Sequence, residues 1–96
     1  MNAPEIRNEL IVNATSAESV LEAFLDISNL LKQQTYPIDK CYQFYVEWDN
    51  WTIVNVSGSC PVIAFAAHDA LSYIMRKGMN QSSYVRIQLR DAGTRP

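Results

Sequence analysis

Cys41, Cys60, His68 and Asp69 are the side chains of this 96-residue chain best suited to hold a metal or attack a substrate. A structural zinc site takes four ligands of the Cys and His type. The chain offers two cysteines and one histidine, with neither C-x-x-C nor H-x-x-x-H spacing, so no metal and no other cofactor is expected. Cys60 with His68 and Asp69 has the composition of a thiol nucleophile with a base and an orienting carboxylate. On a helix, however, His68 stands two turns beyond Cys60, and no Gly-rich turn nearby supplies oxyanion donors. Glu18, Glu22 and Asp26 recur at i, i+4 and i+8, which makes a solvated acidic ridge rather than an acid/base pair. Ser57-Gly58-Ser59 has one glycine and no following lysine, so it does not cradle phosphate. No catalytic residue is assigned, and the chain is not expected to be an enzyme.

Composition bounds the class. With 48% apolar residues and a formal net charge of -2, the chain has enough to bury and too little self-repulsion for disorder. Its length predicts one α+β domain over residues 1–96, with 92–96 as a flexible tail. No stretch approaches ~18 consecutive apolar residues, so no membrane span is expected. The polar, charged first ten residues do not read as a secretion signal. Two cysteines are too few to staple a secreted scaffold of this size. A cytoplasmic protein with Cys41 and Cys60 as free thiols is the expectation, although a bridge between strand ends stays open. Residues 1–50 hold eight acids against three bases, and residues 51–96 two acids against five bases. A fold that packs the halves together would partly neutralise both.

The elements follow from periodicity. Residues 5–14 alternate as a strand, with Ile6, Leu10, Val12 and Ala14 inward. Thr15-Ser16-Ala17-Glu18 fits a capping box. Val20, Ala23, Phe24, Ile27, Leu30 and Leu31 then recur at helical spacing, flanked by Leu21 and Leu25, up to a stop at Tyr36-Pro37. Residues 41–48 and 51–57 form a hairpin around Asp49-Asn50. The simple register sets Trp48 opposite Trp51, Val46 opposite Ile53 and Phe44 opposite Asn55. That register leaves Tyr45, Val54 and Val56 on the second face. A helix starting near Pro61 and stopping at Gly78 follows, with Phe65 facing outward. A strand over 61–65 with the helix starting near Ala67 is the alternative. Residues 84–90 alternate again, with Val85, Ile87 and Leu89 inward.

The order β-α-β-β-α-β, with one apolar face per strand, predicts a two-layer ferredoxin-like sandwich. It has a four-stranded antiparallel sheet and both helices on one face; with 61–65 as a strand the sheet has five strands. The RNA-recognition motif shares this order and stacks bases on aromatics of its two central strands. Here Ile11 stands where an aromatic is usual, and residues 51–57 lack the Gly-aromatic run. The likeness is one of topology. It leaves Tyr45, Arg86 and Arg90 as residues for weak single-stranded nucleic-acid binding. The leading expectation is a non-enzymatic protein-binding module that occludes or bridges a larger partner. Its size and want of catalytic groups match small phage or mobile-element accessory proteins, such as inhibitors and immunity proteins. The residues expected to meet the partner are Glu18, Glu22, Asp26, Tyr45, Trp48, Trp51 and Val54. An open sheet face carrying Tyr45, Val54, Val56, Ile11 and Tyr84 would also permit a homodimer.

Overall fold

Two alternating runs set the architecture. Tyr42, Phe44 and Val46 on one strand, and Val85, Ile87 and Leu89 on another, have no solvent exposure. They lie in register, Phe44 facing Leu89 and Val46 facing Ile87. The computed structural model describes residues 10–33, 40–79 and 83–94. Its elements are β1 (Leu10–Ala14), α1 (Ala17–Gln33), β2 (Lys40–Trp48), β3 (Trp51–Gly58), α2 (Cys60–Lys77) and β4 (Val85–Thr94). The four strands form one antiparallel sheet in the order β1-β4-β2-β3. This is the expected ferredoxin-like class of α+β fold, and α2 includes residues 61–65, which excludes the five-stranded sheet. The first and third strands, central in the RNA-recognition arrangement, are edges here, while β4 and β2 take the centre.

The crossover β1-α1-β2 passes over β4, and β3-α2-β4 passes over β2. They run in opposite directions across the sheet from oppositely directed strands, so two right-handed crossovers put both helices on one face. Val20, Ala23, Phe24, Ile27 and Leu31 of α1 and Ile63, Ala67, Ala70 and Ile74 of α2 are buried there. Phe24 meets Phe44 edge-on with ring centroids 6.3 Å apart.

Local signals are shifted in places from their sequence reading. α1 is capped by Ser16, not Thr15. The Ser19 amide donates to Ser16 Oγ at 3.1 Å, and the Ser16 amide donates to Ser19 Oγ at 3.0 Å. This is a reciprocal box in which Ser19 takes the role expected of Glu18. Asp49 and Asn50 adopt φ of 50° and 73°, the two positive values of a primed hairpin turn. Gly78, at φ 80°, closes α2 by donating its amide to the Ile74 carbonyl at 2.8 Å.

The largest departure lies in the hairpin. Beyond Trp48↔Trp51 and Glu47↔Thr52 the register slips at Ile53, so Val46 faces Val54 and Phe44 faces Val56. This β-bulge turns Val54 and Val56 to the covered side, where they pack on the core. Burying such a side chain fully is worth about 1.5–3 kcal/mol, against about 0.5–1.5 kcal/mol for one ladder hydrogen bond. Two half-buried valines thus outweigh the bond that the bulge forfeits.

β4 also runs further than its alternation suggests. Asp91 pairs with Tyr42, Gly93 with Cys41 and Thr94 with Lys40, so residues 92–94 belong to the sheet and not to a tail. An ion pair between Lys40 Nζ and Asp91 Oδ2 at 2.6 Å braces this end. The expected strand residues 5–9, the stop at Tyr36-Pro37 and residues 95–96 lie outside the described residues. β2, from the acidic half, lies between β3 and β4 from the basic half, and Glu47 faces Arg86.

Gly58 lets α2 leave the sheet closely: a Cβ there would stand 2.8 Å from Val62 Cγ1 and 2.9 Å from Val62 Cβ. Gly58→Ala is expected to lower stability by about 1–3 kcal/mol through overpacking, measured by urea unfolding. Adding Val62→Ala removes the Cγ contacts but keeps the one to Cβ, so it should restore only part of that loss, and an undisturbed Gly58→Ala variant would contradict the close approach.

Candidate functional site

On the outer side of the helix layer, α1 and α2 leave a groove of about 650 Å³ between them. Leu21, Phe24, Leu25, Ser28 and Leu31 line it from α1, and Pro61, Ala64, Ala67, His68 and Leu71 from α2. Its cause is residue size: Ser28 on one helix and Ala64 and Ala67 on the other cannot fill the space between the two axes. Leu25 is 63% exposed and Leu21 44%, with Phe65 at 74% further out on α2. Single exposed apolar residues are ordinary, whereas a contiguous set marks an interaction surface. Glu18, Glu22 and Asp26 are all exposed on α1. By helical spacing they border the Leu21–Leu25 rim on its solvent side. Among the described residues no ion pair engages these three carboxylates.

The candidate catalytic set does not converge. Cys60 and His68 line the groove, while Asp69 lines a cleft on the other flank of α2. The Cys60 thiol donates to the Leu31 carbonyl at 3.8 Å. Burial pushes its pKa up, with the Tyr42 hydroxyl pulling in the opposite direction, so the nucleophilic thiolate is disfavoured. Tyr42 itself is raised well above the ordinary phenol value, first by burial and then by Cys60 and Asp91. Cys41 and Cys60 are not joined in a disulfide. Among the described residues no three His, Cys, Asp or Glu side chains are placed to hold a metal.

The uncovered sheet face differs from its expected apolar character. Register lines up Asn13, Arg86, Glu47 and Thr52 in one row, and Ile11, Gln88, Tyr45 and Asn55 in the next. Arg90, Gln43 and Ser57 follow. With Val54 and Val56 turned inward by the bulge, this is a polar grid, and Ile11, at 48% exposure, is its one large apolar side chain. The homodimer through this face therefore loses its apolar basis. The Tyr45 hydroxyl donates to Glu47 Oε1 at 3.0 Å and lies 3.1 Å from Thr52 Oγ1. Tyr84 serves the hairpin instead of a docking face. Its amide donates to Asp49 Oδ1 at 2.9 Å, its carbonyl accepts from the Asp49 amide at 3.1 Å, and its hydroxyl reaches Glu47 and Asn50. Tyr45, Arg86 and Arg90 do come together, on the two central strands around Gln88.

The residues expected to meet a partner thus divide among three places. Glu18, Glu22 and Asp26 stand on α1, and Tyr45 lies on the opposite side of the sheet. The two tryptophans, cross-strand partners, part company: Trp48 packs edge-on against Tyr73 of α2 at 6.0 Å, while Trp51 is 77% exposed. Val54 is a covered residue of β3. Sequence reasoning passed over the groove itself, although Leu21 and Leu25 lie beside the inner stripe of α1 and Phe65 falls on the outside of α2. Leu21 and Leu25 were its signal, while Phe65 does not line it.

Compared with known proteins, the chain matches no family model, no curated protein and no solved structure. Among the described residues no helix is long and apolar enough to cross a membrane.

The buried Tyr42–Cys60 pair gives a pH dependence. Both groups are raised in the folded state, so their contribution to stability is complete below the ordinary thiol and phenol values. It is lost as pH climbs past them, because the unfolded chain then ionises first. The urea midpoint is expected to fall above roughly pH 9, with a shallower fall in Tyr42→Phe; an equally steep fall in that variant would contradict the assignment.

Proposed function

We propose that this protein is a non-enzymatic protein-binding module that occludes or bridges a larger partner through its helix side. The observation that carries the reading is the apolar groove between α1 and α2, bordered by an unbroken line of three carboxylates. A partner that fits it presents apolar side chains on a helix or loop, flanked by Lys or Arg. The side chains enter between Leu21, Leu25 and Ala64, and the basic flank meets Glu18, Glu22 and Asp26. Interfaces of this kind draw affinity from a few desolvated apolar anchors and association rate from complementary charge. Partners that bind nucleic acid carry such basic surfaces, and occluding them is how a small inhibitor or immunity-type protein would act. The groove supports this reading better than the sheet face does, because Tyr45 and Glu47 there are already tied to one another.

A second reading is favoured by the meeting of Tyr45, Arg86 and Arg90 on the open face. These residues would support weak single-stranded nucleic-acid binding, with Tyr45 as the stacking platform. Glu47 in the same row as Arg86 opposes it, and so does the formal net charge of -2. Binding to a mixed oligonucleotide pool at low salt, abolished by Tyr45→Ala, would favour this reading over the first.

The test of the first reading begins with capture of the partner from the native host. Leu25→Asp should accelerate dissociation at least about tenfold, the effect of losing an anchor worth about 1.4 kcal/mol or more. Replacing Glu18, Glu22 and Asp26 by Lys should slow association and remove its salt dependence. Arg86→Glu on the sheet face should leave both rates unchanged. Capture that survives the helix variants and fails with Arg86→Glu would overturn the assignment.

A further inference from the structure

Among the described residues β3 is an edge strand, hydrogen-bonded to β2 on one side only. The backbone amides and carbonyls of its other side are therefore available to a further strand. Proteins ordinarily blunt such an edge with charge, with proline or by keeping it short. β3 is eight residues long, Trp-Thr-Ile-Val-Asn-Val-Ser-Gly, and carries neither a charge nor a proline. β1, the edge on the opposite side, is described over Leu10–Ala14. Beside β3 a cleft of about 500 Å³ opens toward α2, lined by Trp51, Ile53, Val54, Ala70 and Tyr73 among others.

We propose that β3 pairs antiparallel with β3 of a second copy of this chain, across a two-fold axis at Val56. The bulge at Ile53 leaves Val54–Gly58 as the regular stretch, and Val56 is its centre. A two-fold axis opposes a strand to itself, so charged residues flanking it would face their own kind. β3 has none. The axis puts Asn55 opposite Ser57 twice, an amide with a hydroxyl on the open face, where both are exposed. On the covered face Val56 meets Val56, and Val54 meets Gly58. The space that a side chain at Gly58 would take is held by Val62, which is 44% exposed and so offers Val54 of the second copy the apolar contact that Gly58 lacks. An axis perpendicular to the sheet makes one eight-stranded sheet with four helices on the same side. Both helix grooves then face one way, and the pairing is independent of what fills them.

Sedimentation equilibrium on the full chain tests this. The unmodified protein should form a dimer in the micromolar range, and its Val54–Gly58 amides should exchange with deuterium more slowly as concentration rises. Asn55→Lys with Ser57→Lys, and separately Asn55→Glu with Ser57→Glu, should each give folded monomers by circular dichroism. Mixing the two variants should restore a dimer of one copy of each. An unmodified protein that stays monomeric into the high micromolar range would overturn the proposal. So would a dimer indifferent to the lysines, or slowed exchange confined to β1 or the helices; should the variants unfold, the exchange of the unmodified protein decides alone.

Discussion

The contact on which the molecule depends is the ladder between β2 and β4. These strands are remote in sequence, yet Tyr42, Phe44 and Val46 interlock with Val85, Ile87 and Leu89 in a layer from which solvent is excluded. Truncating one such aromatic or aliphatic residue ordinarily costs 2–5 kcal/mol, a large share of the stability of a domain of this size. Everything else is arranged around that pair. β1 and β3 flank it, the helices roof it, and the Asp49 turn is fastened to the start of β4 by backbone and side-chain bonds from Tyr84. Burying this layer is also what makes the bulge in β3 favourable, since it recruits Val54 and Val56 to the same side.

The sheet's two sides consequently differ in chemistry. The covered side takes the large apolar side chains of the two central strands, and the open side keeps a polar grid in which the Tyr45 hydroxyl bonds to Glu47 and Thr52. Apart from Ile11 on the open face, the large apolar side chains exposed among the described residues lie on the helices and along the β3 edge. Above the helices apolar surface remains because small residues face each other there. Along the edge it remains because β3 has no outer neighbour among the described residues and Trp51 is not roofed. A roof packed to full density would have buried Leu21 and Leu25 and left no groove. The looseness between α1 and α2 is therefore the feature on which the proposed binding rests.

Much of the fold is legible in the sequence, for a physical reason. Alternation in residues 84–90 and helical spacing in α1 report burial directly, and the Asp49-Asn50 and Gly78 turns carry their conformations in residue type. Pairing order was not legible, because β-α-β-β-α-β permits more than one arrangement in which each crossover spans a single strand. Nor was the bulge: an extra residue at Ile53 changes no local pattern, and only the three-dimensional gain from two valines selects it. The Ser16–Ser19 box displaced the Thr15–Glu18 one because both are reciprocal pairs of the same spacing one residue apart, and residue type alone does not choose between them. As to the site, the acidic ridge was visible from spacing alone. The groove beside it was not, because a void between two helices depends on what each fails to provide.

The most direct test of the account follows individual methyl groups by NMR as the captured partner is added. If the helix side is the docking surface, the methyl signals of Leu21, Leu25, Ala64 and Leu71 shift or broaden, while those of Ile11 and Thr52 across the sheet stay in place. Movement of Ile11 and Thr52 with the four helix methyls unchanged would contradict it.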